Sequence, residues 1–454
     1  MRHSLLGVCR RWRSLVFSTP SFWTTLLVDP MVRSNFQEHQ KCLQYAGDGA
    51  LDVIMRPRFC LSRCLDSIAL IRTQLHRIKR INIGILFRDE IEALFPVGSE
   101  AETVTHFPAL EFLRIPNFNA RQAALDPESY MPMSLVMGRI FAPKLEYLWV
   151  RSATALPSLI TTSFLPLRYL RVDHGKEVIV SDTLTQFLSI CPLLEVLCVV
   201  NQSLVDRAIP WPLSARLPLK KLHTFSLLTV RGSDILYFLR TLHLPALKFL
   251  RYNHVKTKDI HLDPAFILQL FWWFMTEGSR TLEDVLLDSH SIPPQIGVVE
   301  PLLINLTNLR NLELHQIEAG SSILEALTPI PGTAVESWPC PNLRSLILRT
   351  VDITSREALL DFVEARCYID PAITPPSPKD CRLREDRVWY LHRMHDYVAE
   401  WILQNAGSLA PSENDWSAGR RCAVGVFHCV YLTDSIFQTV LELKDRFWGV
   451  RYVP

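Results

Sequence analysis

Apolar residues recur along this chain in one short arrangement: an apolar position, two free ones, a second apolar position, one free one, a third. Leu110, Leu113 and Ile115 form a clear copy, as do Leu145, Leu148 and Val150, Leu194, Leu197 and Val199, and Leu343, Leu346 and Leu348. Copies starting at Leu167, Leu222, Leu247, Leu282 and Leu309 bring the number to nine, and Ile78, Ile81 and Ile83 make a weaker one upstream. Apolar and other positions alternate at the end of each copy, which is the period of a strand. Pro108, Pro143, Pro192 and Pro341 stand just before the four clear copies, where a fixed φ and a missing N–H do least harm. A unit this short cannot bury its apolar side alone. It must stack on its neighbours, so the pattern predicts a solenoid with a long open face.

Helical spacing follows several of these strands. Ser181 to Leu188 carries a capping residue ahead of apolar positions at helical intervals. Asp234 to Leu239, Pro264 to Met275 and Arg356 to Ala365 behave similarly. A strand, a crossover and a parallel strand make a right-handed unit. The expected fold is therefore α/β: a leucine-rich-repeat solenoid over residues 50–366, a curved parallel sheet with outer helices. Intervals between copies run from 22 to 35 residues, against about 20–29 for ordinary leucine-rich repeats; the longer ones imply extra loops or longer helices. The copies lack the Asn or Cys that follows the third leucine in the standard pattern: Val230, Val255, Ile317 and Val351 stand there. Apolar stacking, and no asparagine ladder, is expected to hold the turns together.

Three segments flank the array. Residues 1–30 read as a helix (Ser4 to Phe17), a turn at Ser18, Thr19 and Pro20, and a strand from Phe22 to Val28. Residues 367–386 hold a proline-dense loop. Residues 387–454 read as a C-terminal cap with an amphipathic helix from Arg387 to Gln404, a strand from Ala423 to Leu432 and a helix from Asp434 to Phe447.

Bulk properties narrow the picture. At 454 residues the chain exceeds the roughly 250–300 that one core supports, so several domains or an array are required. A 48% hydrophobic, 21% charged composition suits a folded soluble chain. The net charge of +2 gives no global field toward nucleic acid or an anionic membrane, and neither partner is expected. The longest apolar run, Phe266 to Met275, falls short of the about 20 residues a membrane helix needs. The 11 cysteines, odd in number and without paired spacing, read as free thiols of a reducing compartment, so a cytoplasmic or nuclear location is expected. Arg2, Arg10, Arg11 and Arg13 precede the first acidic residue, Asp29. That composition also fits a mitochondrial transit peptide, though a folded element is the reading preferred.

The run Val8, Cys9, Arg10, Arg11, Trp12, Arg13, Ser14, Leu15 and Val16, followed by Thr19, Pro20, Ser21, Phe22 and Trp23, resembles the second half of an F-box. With irregular repeats behind it, the chain resembles F-box leucine-rich-repeat proteins of the kind expanded in mushroom-forming fungi. The resemblance implies a substrate-recognition subunit of a cullin-RING (Skp1-cullin-F-box) ubiquitin ligase, with two partners: a Skp1-type adaptor and the protein substrate. It places Val8, Cys9, Trp12 and Leu15 on the adaptor-binding last helix of the F-box, with Trp23 packing after it. The family's first half, a Leu-Pro start and the first helices, is not seen ahead of Val8, which sets this remnant apart from the full motif. Alternative readings are an interaction scaffold unconnected with ubiquitination and a hydrolase or metal enzyme using the C-terminal tail.

Strand alternation then assigns the open face. Residues flanking the second and third leucines point away from the core. The early copies present Phe112, Arg114, Tyr147, Trp149, Arg151, Tyr169 and Arg171, and a later one presents Arg251; together these form the candidate partner-binding face. Trp, Tyr and Arg are the residue types enriched at interface hot spots. Asp284, Asp288 and Glu313 follow in the later copies, so an acidic or aromatic partner segment is expected on the early ones. The same side chains also suit mutual stacking across strands with no ligand.

No glycine-rich phosphate loop, Gly-x-Ser-x-Gly elbow or His-Glu-x-x-His motif occurs. His392, His395, Asp396 and Glu400 could share one face of the helix expected there, but a solvated polar face opposite Trp389 and Trp401 is the simpler reading. Cys60 and Cys64 have no second pair for zinc, and His428 and Cys429 have no base partner. Trp272 and Trp273, among apolar neighbours, read as core. No catalytic residue, metal, cofactor or small-molecule substrate is expected, and the chain is not read as an enzyme.

Overall fold

The computed structural model describes residues 7–28, 35–55, 65–83, 93–95, 104–115, 139–150, 156, 159–160, 164–173, 179–200, 204–205, 216–228, 241–253, 280–288, 306–315, 320–328, 339–343, 345–349, 355, 357–358, 361–362, 388–392, 426–428 and 452–453. The chain divides into two compact units, Met1–Leu222 and His223–Pro454.

In the first unit, seven strands lie side by side in chain order: β1 (Thr25–Val28), β2 (Leu51–Met55), β3 (Ile78–Ile83), β4 (Phe112–Ile115), β5 (Tyr147–Val150), β6 (Tyr169–Val172) and β7 (Val196–Val200). Every pairing among them is parallel. The sheet is open, and the unit is α/β. Burial alternates along the strands as the triplets require: Leu110, Leu113, Leu145, Leu148, Leu167 and Leu170 are all fully buried, while the residues between them are half exposed or exposed. The ladder starts earlier than the expected boundary at residue 50. Thr25–Val28, assigned from sequence to the N-terminal segment, pairs directly with β2, since Leu26 and Val28 supply the same buried alternation.

The described residues of this unit include the helices α1 (Arg10–Ser18), α2 (Asn35–Ala46), α3 (Leu65–Arg72) and α4 (Ser181–Ser189). The last is the helix that the cap at Ser181 predicts. Gly47, at φ +54°, ends α2 in the left-handed conformation that only glycine adopts cheaply. A separate small parallel sheet forms as well: Val104–His106 pairs with Arg139–Phe141, which pairs with Leu159–Ile160. The second unit holds a parallel row of β8 (Thr224–Leu228), β9 (Phe249–Asn253), β10 (Asp284–Asp288), β11 (Asn311–His315) and β12 (Ser345–Arg349), with α5 at Gly320–Leu327. The helices expected at Asp234 to Leu239 and Pro264 to Met275 lie outside the described residues. Of Arg356 to Ala365, residues 357–358 and 361–362 are helical.

One local device repeats in both units. A residue three before the first leucine accepts a hydrogen bond from that leucine's N–H, at 3.0–3.3 Å, from Phe107, Ala142, Cys191, Leu219, Leu244, Leu306 and Cys340. All seven are buried. Pro108, Pro143, Pro192, Pro245 and Pro341 occupy the second position of this turn, where their fixed φ fits. The residue after the first leucine carries a charge in most copies, and these charges pair between adjacent strands: Lys79 with Glu111 at 3.1 Å, Arg168 with Glu195 at 3.5 Å, and Glu283 with both Lys248 at 2.7 Å and Arg310 at 3.4 Å. The expectation of apolar stacking alone needs correcting. Asn308 donates to the Arg280 carbonyl, and Asn342 to the Thr307 carbonyl at 2.7 Å. An asparagine stitch between turns does exist, displaced to the third turn position, where the amide faces the preceding turn's carbonyl.

The C-terminal region also differs from expectation. Val388–His392, read as the start of an amphipathic helix, is a strand pairing parallel with β12. Val388, Trp389 and Tyr390 are β-branched or aromatic, and the edge of β12 offers unpaired backbone groups, which override a helical pattern. Val426–His428 also pairs parallel with β12, inside the strand expected from Ala423 to Leu432.

Candidate partner-binding face

Strand register decides which side chains of the first unit share the open face. Phe112, Tyr147, Tyr169 and Val196 stand in one row across β4 to β7, and Arg114, Trp149, Arg171 and Cys198 in the next. These are the rows that alternation predicts. Both extend upstream, through Thr25, Asp52 and Arg80 in the first row and Leu27, Ile54 and Asn82 in the second. Sequence reading missed those six. Two of their strands lack the full triplet and the third carries only the weaker copy at Ile78, Ile81 and Ile83, although the alternation of Leu51, Val53 and Met55 was available as a signal.

The rows are tightly ordered. Phe112 stacks on Tyr147 with centroids 4.3 Å apart, and Tyr147 on Tyr169 at 4.2 Å and 5°. The neighbouring row sandwiches an indole between two guanidinium groups: the Arg114 Cζ lies 3.8 Å from the Trp149 ring centroid and the Arg171 Cζ 4.3 Å from it. Such contacts contribute about 0.5–2 kcal/mol each. Asp173 locks one side, accepting from Trp149 Nε1 at 2.6 Å and from Arg171 Nε at 2.7 Å. Burial lowers the Arg171 pKa, but the hydrogen bond and charge of Asp173 outweigh it and hold the guanidinium above its ordinary range. Burial, reinforced by Tyr169, likewise pushes the Tyr147 phenol up. Mutual stacking is therefore present, and it fixes a rigid aromatic platform.

Arg114 differs from Arg171. Its Nε is buried without an acceptor, and no carboxylate pairs with it among the described residues. Arg80 is exposed and also lacks such a partner among them.

Arg251 lies exposed in the second unit, in register with Ser226 and Leu286. Its face carries acidic and polar pairs: Asn311 donates to the Asp284 carboxylate, and His315 meets Glu313 at 2.6 Å. Arg151 lies outside the described residues.

The second candidate surface is α1. Val8 is 61% exposed, Trp12 44% and Leu15 47%. Trp12 and Leu15 are three residues apart on one face of the helix; the expectation that Val8 and Cys9 share it needs correcting, because Cys9, exposed too, is an extended N-cap and Val8 lies ahead of it. Only Val16 of this helix is buried. Trp23 is not part of that face: it is buried, donates from Nε1 to the Val16 carbonyl at 2.7 Å, stacks on Phe17 at 5.4 Å and meets Tyr45 at a tilt with centroids 4.8 Å apart. Its place in the fold is that of an anchor seating α1.

Among the described residues, no group of three or more His, Cys, Asp or Glu is placed to hold a metal, and no helix is long and apolar enough to cross a membrane. His392 ends a strand rather than lying on a helix; His395, Asp396 and Glu400 lie outside the described residues, as do Cys60, Cys64, Trp272, Trp273 and Cys429. Compared with protein-family models and with curated proteins, the sequence matches none.

Proposed function

We propose that this chain is a leucine-rich-repeat solenoid that binds proteins, acting as the substrate-recognition subunit of a cullin-RING ubiquitin ligase, with a remnant F-box at its N-terminus. The observation that carries this reading is the apolar pair Trp12 and Leu15, left in water on one face of a helix that Trp23 anchors, with exposed Val8 just ahead of it. Large apolar side chains grouped on one exposed helix face mark an interaction site. In this reading α1 docks on a Skp1-type adaptor and the aromatic platform of β4 to β6 holds the protein substrate, without catalysis or cofactor, in the cytoplasm or nucleus.

Purified full chain, mixed with a purified Skp1-type adaptor, is expected to capture it, and the double variant Trp12→Ala, Leu15→Ala to lose at least about tenfold in affinity, as removal of interface anchors does. No capture by the parent chain removes the ligase reading. The scaffold reading then stands, because the ordered platform lies on separate elements from α1.

A further inference from the structure

The platform has one corner that the described residues leave unsatisfied. Arg114 and Arg80 lie on adjacent strands, with Asn82 opposite Arg114 and Phe112 opposite Arg80. Other basic side chains of these strands are neutralised: Lys79 by Glu111, Arg168 by Glu195 and Arg171 by Asp173. Arg80 and Arg114 make no ion pair within 4.0 Å among the described residues, and Asp52, the register neighbour of Arg80, makes none either. The side-chain amide of Asn82 has no partner among them.

We propose that this corner seats a carboxylate from an acidic segment of a partner protein, with apolar side chains of that segment lying on the Phe112, Tyr147 and Tyr169 ladder. The inference rests on the reading of this face as a protein-binding surface and adds the chemistry of what is bound. Arg114 is held in place by stacking on Trp149, so its charged fork loses little freedom when a carboxylate arrives. The two guanidinium groups outweigh the single charge of Asp52. A polyanionic nucleic acid fits poorly. It needs many phosphate contacts, while Asp52 and Asp173 bound this basic corner on either side. The rings of the ladder are already stacked at 4.2–4.3 Å, which leaves no gap for a base.

The test uses the full chain and a fluorescein-labelled peptide alternating Glu with Phe and Gly, followed by anisotropy. A second peptide replaces each Glu by Gln, and sodium acetate serves as a competitor. The Glu peptide is expected to bind at least about tenfold more tightly than the Gln peptide, the margin a charge-assisted fork provides. Arg114→Gln and Arg80→Gln are each expected to reduce that margin severalfold, while Arg310→Gln, in the second unit, leaves it unchanged. Arg80 is exposed, so its variant is free of folding effects that Arg114→Gln could bring. Equal binding of the two peptides, an unchanged margin in Arg80→Gln, or full displacement by acetate at low concentration overturns the proposal. Adaptor capture measured on the same preparation separates the two readings. Capture without preference for Glu removes the corner alone, and preference without capture removes the ligase reading alone.

Discussion

Trp23 and Trp12 show how one residue type takes opposite roles within a short segment. Trp23 is buried against Phe17 and Tyr45 with its N–H satisfied, and Trp12 is left in water. Trp23→Ala is expected to cost about 3–5 kcal/mol in a urea denaturation series, since it empties an aromatic cluster. Trp12→Ala should stay within about 0.5 kcal/mol, as exposed changes do. The two look alike in sequence because periodicity reports a face, and only packing reports whether that face is covered. Glu283 illustrates the charged positions. The Lys248 hydrogen bond lowers its pKa below the ordinary carboxylate value. A depressed carboxyl pKa contributes stability that is present above the unfolded-state pKa and lost as pH falls through the folded one. Glu283→Gln should therefore cost up to about 1 kcal/mol at neutral pH, as a surface pair does, and the difference should vanish once acid protonates the carboxyl. Melting temperatures of the two proteins across pH 7 to about 3 check this.

Among elements, the strands were the most legible. Within each unit the triplets placed the described strands, β4 to β7 and β8 to β12, in the register that the pairings have, because a one-residue slip would turn every leucine out to water. Turns were half legible. Pro108, Pro143, Pro192 and Pro341 marked them, but the buried residue three before each first leucine passed unnoticed, being alanine or cysteine as often as leucine. The asparagine stitch was missed because Asn308 and Asn342 occupy the turn rather than the place after the third leucine. Asn308→Ala and Asn342→Ala should each cost about 1 kcal/mol, with faster amide exchange confined to the adjacent strands β10 to β12. The C-terminal strand at Val388 was misread as helix because a periodic pattern competes there with an edge that recruits strands, and the edge is invisible in sequence.

For the whole molecule, the sequence made the α/β class and the parallel arrangement legible, because each needs only the period and the order of elements. The partner was not legible. Surface rows acquire meaning only when register sets Arg80 and Asn82 beside Phe112 and Arg114, and those two residues fall outside the clear triplets. The proposed corner and platform require that successive triplets lie in register on one open sheet. Paired cysteine substitutions test this directly, with trypsin and mass spectrometry identifying the specific crosslinked peptides among the native thiols. Neighbouring strands stand about 4.8 Å apart, inside the range a disulfide spans. Tyr147→Cys with Tyr169→Cys is expected to crosslink readily under mild oxidation, and Tyr147→Cys with Leu170→Cys, displaced by one residue onto the opposite face, is not. Crosslinking of the second pair in preference to the first, or of neither, contradicts an in-register open face.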